Sequence, residues 1–224
     1  MKNIVVLTGA GISAESGLGT FRDSSGLWEK YKVEDVATPE AFKKNPSLVL
    51  DFYNIRRREL IKSSPNKAHA GLNKLQEKFN LDIITQNIDD LHERSGSTNV
   101  LHLHGKLTES RSTIDNTIYK INGSELNIGD LCDQGSQLRP NVVWFGEAVP
   151  NMELAINMVM KASIFIIIGT SLNVYPAASL IDYAHKAERI ILIDPHFSDF
   201  PGVETISENA TMAVPKLVNE LLED

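Results

Sequence analysis

Gly9-Ala10-Gly11-Ile12-Ser13-Ala14 closes the first apolar run of the chain and satisfies the spacing G-x-G-x-x-G/A, with Ala14 in the third small position. After a strand, such a turn lets the backbone approach a pyrophosphate, and the helix start that follows favours the anion. Alone the pattern is weak, because any tight strand-to-helix turn reads the same way. The acidic residue that a dehydrogenase sets at the end of its second strand is not evident, since Asp35 and Glu40 fall in a helical stretch. Six histidines offer general bases, an unperturbed imidazole titrating near pH ~6.5. His102 and His104 stand two apart where an apolar run ends, on one face of an extended strand. His69, His92, His185 and His196 read as structural or solvated. Tyr53 and Arg56 are three apart on a helical stretch and share a face. Arginine's planar fork suits a carboxylate, although the run Arg56-Arg57-Arg58 equally reads as a solvated basic surface.

These groups need a frame. Runs rich in Val and Ile at residues 4–8, 81–85, 142–145, 164–168 and 190–193 read as strands, and their lack of clean alternation suits strands covered on both faces. A further strand at 100–102 leads into His104-Gly105. Apolar residues at helical spacing predict helices over 68–79, 151–162 and 177–187. The alternation predicts an α/β fold with a mostly parallel sheet. Two segments interrupt it. Residues 33–64 read as helical throughout, and residues 108–139 are polar, with a short hairpin around 118–123 and a small core.

The chain has 224 residues, which suits one large domain carrying a smaller lobe. Hydrophobic residues at 42% and charged residues at 23% exclude disorder as the dominant state. A net charge of -7 disfavours a general nucleic-acid binder, which needs a basic excess, and suits a basic peptide partner. The one cysteine, Cys132, forms no internal disulfide and points to a reducing compartment. The first apolar run is too short for a signal-peptide core and no stretch is long enough for a bilayer, so a cytoplasmic protein without membrane contact is expected. A monomer is the simplest oligomeric state, which composition leaves open.

Beyond the glycine turn the chain continues Glu15-Ser16-Gly17-Leu18-Gly19-Thr20-Phe21-Arg22. Further blocks follow in order: Thr85-Gln86-Asn87-Ile88-Asp89, His104-Gly105, Arg139-Pro140-Asn141-Val142-Val143-Trp144-Phe145-Gly146-Glu147 and Gly169-Thr170-Ser171. Together they resemble the signature of the sirtuins, the NAD-dependent protein deacylases. The resemblance covers nearly the whole chain and weakens only over 108–137. It implies a Rossmann-like domain of residues 1–32, 65–107 and 140–224, with a small domain built from the insertions 33–64 and 108–139, and NAD lying between them. It implies cleavage of NAD coupled to removal of an acyl group from lysine: the amide oxygen attacks the ribose as nicotinamide leaves, and a general base then activates a ribose hydroxyl against the imidate-like intermediate. The base position falls on His104, and the group at the breaking glycosidic bond on Asn87. Asp89 would recognise the nicotinamide carboxamide, with a helix cap by Asp89 or Asp90 as the structural alternative. The resemblance implies NAD contacts from Gly9, Ala10, Gly11, Ile12, Ser13, Ala14, Glu15, Gly17, Thr20, Phe21, Arg22, Trp28, Gln86, Ile88, Gly169, Thr170, Ser171, Asp194, Pro195, His196 and Ala210. Val142, Val143, Trp144, Phe145 and Gly146 would pair with the substrate backbone and line the lysine tunnel.

The segment Phe52-Tyr53-Asn54-Ile55-Arg56-Arg57 resembles the class III sirtuins, in which a Tyr and an Arg bind the carboxylate of succinyl-, malonyl- or glutaryl-lysine. Ala14 and Thr20 match that class too, and acetyl removal is implied as a second activity. The family's zinc module needs four cysteines; here Cys132 stands alone, with Asp130 and Asp133 beside it, so no zinc is expected. Two other readings use the same pocket: an NAD glycohydrolase or ADP-ribosyltransferase, and a non-catalytic module binding NAD or acyl-lysine.

Overall fold

The structure is a computed structural model that describes residues 1–19, 30–197 and 202–223. The expectations for Thr20, Phe21, Arg22 and Trp28 lie outside the described residues. Along the chain run strands β1 (Asn3–Thr8), β2 (Asn80–Thr85), β3 (Val100–His102), β4 (Gly105–Ser112), β5 (Ile118–Lys120), β6 (Leu138–Val142), β7 (Ile164–Ile168), β8 (Arg189–Ile193) and β9 (Glu204–Ile206). The described helices are α1 (Gly11–Ala14), α2 (Val33–Val36), α3 (Pro39–Lys44), α4 (Pro46–Lys62), α5 (Lys67–Lys74), α6 (Leu91–Arg94), α7 (Met152–Val159) and α8 (Ala210–Glu223). The strands form a parallel sheet of order β3-β2-β1-β7-β8-β9 and a small antiparallel sheet of order β5-β4-β6. This is an α/β fold.

The central strands are apolar at every position because each face meets its own core. Ile4, Val6, Ile166 and Ile168 join Ala68 and Leu72 of α5 and Val214, Leu217 and Leu221 of α8. Val5, Leu7, Phe165 and Ile167 point the other way, onto Ala155 and Val159 of α7 and onto Ala177 and Leu180. Strand alternation is preserved, but both alternating sets are buried.

Several expectations are corrected. The stretch 33–64 is helical as expected, in three helices rather than a continuous one. Thr38-Pro39 and Asn45-Pro46 restart it, with the Thr38 hydroxyl accepting from Ala41 N at 3.0 Å and Asn45 Oδ1 accepting from Leu48 N at 3.2 Å. Residues 142–145 are not a strand of the main sheet. β6 ends at Val142 in the small sheet, after which Val143 N donates to His104 O and Phe145 N to Ala37 O. The hairpin near 118–123 is formed by β5 with β4, so its turn lies before residue 118. The helix read over 177–187 is a 3-10 helix, Ala177–Tyr183.

The small sheet packs Leu126, Cys132 and Leu138 against Leu50 of α4. Arg57 of α4 reaches it with Nε donating to Leu107 O and Nη1 to Ser124 O, each at 2.7 Å. Asn54 adds a two-way bond with the backbone of Leu126.

Candidate active site

Strand order reverses between β1 and β7, and the turns after these strands floor a cleft of 990 Å³. Gly9 N donates to Ile168 O and Gly11 N to Gly169 O, both at 2.9 Å. A Cβ on Gly9 would lie 2.7 Å from Gly169 O, and one on Gly11 2.6 Å from Gly169 Cα. Gly169 has φ +62°, and a Cβ there would sit 2.5 Å from Ile12 N. The glycines are therefore needed first for two turns to touch. What they leave is a floor of bare backbone, edged by Thr170 and Ser171, which fits a dinucleotide's phosphates and sugar.

One side of the cleft is the loop after β2. Its carbonyls are taken in sequence: Thr85 O by Leu103 N at 2.9 Å, Gln86 O by His104 Nδ1 at 3.0 Å, Asn87 O by His102 Nδ1 at 3.0 Å and Ile88 O by Leu107 N at 2.7 Å. A carbonyl only accepts, so His104 carries its proton on Nδ1 and keeps the lone pair on Nε2. Burial pushes the His104 pKa down, against the raising effect of the Gln86 carbonyl. A half-buried imidazole facing the cleft in its neutral form is a proton acceptor. Asn87 Nδ2 donates to Gly9 O at 3.1 Å and to Ser13 Oγ at 3.2 Å. Its amide orientation is thereby fixed, with Oδ1 as the end left to meet a developing positive charge. Asp89 Oδ2 accepts from Ser13 Oγ at 3.0 Å and Oδ1 from Leu91 N at 3.1 Å, and burial raises its carboxyl pKa. Asp89 thus shapes the start of α6, while Asp90 makes no capping bond.

The opposite side is built by α4 and residues 142–147. Trp144 Nε1 donates to the Tyr53 hydroxyl at 2.9 Å. Indole nitrogen only donates, so the Tyr53 proton is free to be given elsewhere. Burial raises the Tyr53 pKa to about 12, which keeps it a donor. Arg56 lines the cleft with Tyr53; burial lowers its pKa, while Tyr53, Asp89 and Glu59 oppose that. Trp144 is itself clamped. The Arg139 guanidinium lies 3.3 Å from its ring centroid and binds Glu147 through two nitrogens at 2.7 and 3.0 Å, and Glu147 accepts from Trp144 N at 2.8 Å.

Most of the expected residues meet in this cleft: Gly9, Ala10, Gly11, Ser13, Ala14, Glu15, Gly17, Gln86, Ile88, Val142, Val143, Phe145, Gly146, Gly169, Ser171, Asp194, Pro195, His196 and Ala210 besides those described. Ile12 does not. It is fully buried in the core beneath the turn. Glu15 is engaged by Thr211, Oγ1 to Oε1 at 2.7 Å, and Asp194 Oδ1 holds His196 N at 2.9 Å. The run of three arginines separates completely: Arg56, expected at the acyl group, lines the cleft, whereas of the two left to the solvated reading Arg57 is 1% exposed and Arg58 pairs with Glu125 at 2.6 Å. Sequence reasoning missed Glu59 and Glu147 in the cleft wall. Their signals were the helical spacing Arg56–Glu59 and the block ending at Glu147. The Cys132 thiol packs in an apolar cluster and accepts from Ser136 N at 3.4 Å, a setting that does not fit a thiolate zinc cage.

The fold and cleft define an α/β protein whose cleft suits a dinucleotide and carries an imidazole in its wall. The Sir2 family profile matches residues 9–176. An NAD-dependent protein deacylase of Helicobacter pylori is 53% identical over 227 residues, covering 100% of this chain and 99% of that protein. One from Bacteroides thetaiotaomicron is 55% identical over 201 residues, covering 87% and 86%. A solved Sir2 homologue in complex with NAD superposes with a TM-score of 0.89 at 40% identity, over 99% of this chain and 90% of that one. Sir2 bound to an acetylated peptide gives 0.84 at 30% identity, over 99% and 94%. The chain belongs to the Sir2 family and is an enzyme of it.

Proposed function

We propose that this enzyme removes acyl groups from protein lysines at the expense of NAD, with succinyl, malonyl and glutaryl groups favoured and acetyl secondary. Acyl-lysine, NAD and water become lysine, nicotinamide and O-acyl-ADP-ribose. The observation that carries the reading is the His104 tautomer, Nδ1–H on Gln86 O, in the same cleft as the fixed Asn87 amide. NAD, as co-substrate, supplies the ribose that receives the acyl group. Asn87 Oδ1 steadies positive charge on the sugar as nicotinamide leaves, and His104 Nε2 takes the proton of the attacking ribose hydroxyl. The backbone floor at Gly9–Gly11 and the edge at Gly169–Ser171 hold the dinucleotide, and residues 142–146 hold the peptide. The likeness to homologues solved with NAD and with acetylated peptide supports both assignments. The missing cysteines support a small lobe without zinc, and the lone Cys132 supports a reducing, cytoplasmic setting. Among the described residues no helix is long and apolar enough to cross a membrane.

Preference for acidic acyl groups rests on Arg56 and Tyr53 sharing the wall. A charge-assisted bond is worth about 1.5–3 kcal/mol, or roughly tenfold to a hundredfold. Arg56→Met should lower kcat/KM on a succinyl-lysine peptide by that factor and leave the acetyl peptide nearly unchanged. An unaltered succinyl-to-acetyl ratio would return the chain to a general deacylase. Mass spectrometry of NAD mixed with succinyl peptide tests the reaction itself: O-succinyl-ADP-ribose supports it, whereas ADP-ribose with intact peptide means a glycohydrolase and no turnover means a binding module.

A further inference from the structure

Behind the loop that carries Asn87 lies a buried histidine, tied to a half-buried ion pair, that the reaction above does not use. His102, the last residue of β3, is 6% exposed. Its Nδ1 lies 3.0 Å from Asn87 O and its Nε2 2.9 Å from Glu93 Oε1 of α6. Lys106 Nζ of β4 reaches the same Glu93 oxygen at 2.8 Å. The Asn87 carbonyl only accepts, so His102 donates to it from Nδ1 and turns Nε2 to the Glu93 carboxylate. Burial alone would raise the Glu93 pKa, but the bonds from His102 and Lys106 hold it down at about 2. Asn151 Nδ2 donates to the His102 carbonyl at 2.8 Å, fixing the ring's own backbone.

We propose that His102 is a positioning residue for the first chemical step: anchored by Glu93 and Lys106, it clamps the Asn87 carbonyl and so holds the Asn87 side chain against the ribose as nicotinamide leaves. The geometry is a relay from carboxylate to imidazole to backbone. Asn87 is tied at three further points, its N to Thr85 Oγ1 at 3.0 Å and its Nδ2 to Gly9 O and Ser13 Oγ. The His102 bond is the one that fixes the plane of the peptide leaving Asn87. Without it the loop can rotate about that peptide, and displacing a reacting group by about 1 Å costs on the order of a hundredfold. The inference rests on Asn87 acting at the breaking glycosidic bond.

Exchange of labelled nicotinamide into NAD in the presence of acyl peptide reads that first step alone, since His104 acts after it. In His102→Phe, exchange and overall turnover should fall together by tenfold or more, with KM for NAD and peptide within twofold and a folded protein by thermal melt. His104→Ala should keep exchange and lose turnover. His102→Gln, which can still donate to Asn87 O, should recover at least a third of the wild-type exchange. Glu93→Gln should stay within threefold of wild type, because a neutral ring can keep Nδ1–H on Asn87 O while Nε2 accepts from the new amide. Should His102→Phe fail to fold, the His102→Gln and Glu93→Leu pair carries the test, the second losing more exchange than the first at unchanged KM. Exchange within twofold of wild type in folded His102→Phe overturns the clamp, as does a loss seen only in KM. Asn87→Ala separates the two layers: normal exchange there means the reading of Asn87 has failed, and lost exchange beside an active His102→Phe means only the clamp has.

Discussion

The protonation of His104 has a consequence that kinetics can read. Its folded pKa lies below that of an ordinary histidine, because burial disfavours the imidazolium more than the Gln86 carbonyl favours it. The base is therefore ready at lower pH than a solvated histidine would be. We expect the acid limb of kcat/KM on an acetyl peptide to turn over below pH ~6.5, the unperturbed histidine value. Rates measured from pH 5 to 8 in constant ionic strength would show it, and a limb centred above that value would remove His104 as the base. His104→Ala should cost about a hundredfold to ten-thousandfold in turnover while calorimetry still registers NAD binding. At this scale the sequence was informative where a residue's neighbours in sequence are also its neighbours in the site. His104-Gly105 is such a case, since a Cβ on Gly105 would meet Asn141 O at 2.0 Å and the glycine lets β6 close over the loop. His102 and Glu93 were not legible as a pair, because the eight residues between them hide a contact made only when β3 lies beside α6.

Helix α4 carries both the cleft-lining Tyr53 and Arg56 and the staple that holds the small sheet. Arg57 lies inside, with three hydrogen bonds at 2.7 Å, to Leu107 O, Asn54 Oδ1 and Ser124 O. Burial lowers its pKa to about 10, still above neutral pH, so it remains a cation. The small lobe is thus pinned to α4 by an arginine and an apolar cluster around Cys132. Arg57→Met takes the guanidinium donors from Leu107 O and Ser124 O, while Asn54 Oδ1 keeps Leu126 N, and at about 1–3 kcal/mol per acceptor should lower stability by about 2 kcal/mol or more. Urea unfolding should show the loss, and elemental analysis of the wild type should give no stoichiometric zinc. A tightly held zinc in every chain, or a neutral Arg57→Met, would mean another device holds this lobe. Strand 164–168 was readable to the residue because every one of its positions is buried. The run 142–145 misled for a physical reason: it is apolar because it walls the cleft, and its backbone is satisfied by loops. β4, Gly-Lys-Leu-Thr-Glu-Ser-Arg-Ser, is half exposed and polar, so nothing in its pattern marks it as the centre of a sheet.

At the scale of the whole molecule, two buried histidines outside the cleft lining couple stability to pH. His69 of α5 and His92 of α6 are 0% and 1% exposed, with ring centroids 4.9 Å apart. Burial lowers His69 to about 4; burial and then the neighbouring His69 lower His92 to about 3. His92 Nε2 lies 3.0 Å from Thr8 Oγ1, which donates to Thr85 Oγ1 at 2.8 Å, and Thr85 Oγ1 in turn accepts Asn87 N. The pair thus lies under the sheet ends that support the catalytic loop. A histidine whose folded pKa is depressed is neutral in the native state while the unfolded chain takes up a proton near pH ~6.5. The unfolded state then binds more protons, so stability is lost as pH falls below that value and on toward the folded pKa. At about 1.36 kcal/mol per pH unit for each group, the two together should lower unfolding free energy by about 2 kcal/mol between pH 7 and 5.5. The Glu93 contribution has the same sign but falls in a lower window, below its ordinary carboxylate value, while the raised Asp89 acts in the opposite sense over a window above its ordinary value. Urea titrations at pH 7 and 5.5 should therefore show the drop, and the double variant His69→Gln with His92→Gln should flatten it whatever its absolute stability. A wild-type curve unchanged between these two pH values would mean that the pair is charged or hydrated in the folded enzyme. The support under Asn87 would then have to be sought in Thr8 and Thr85 alone.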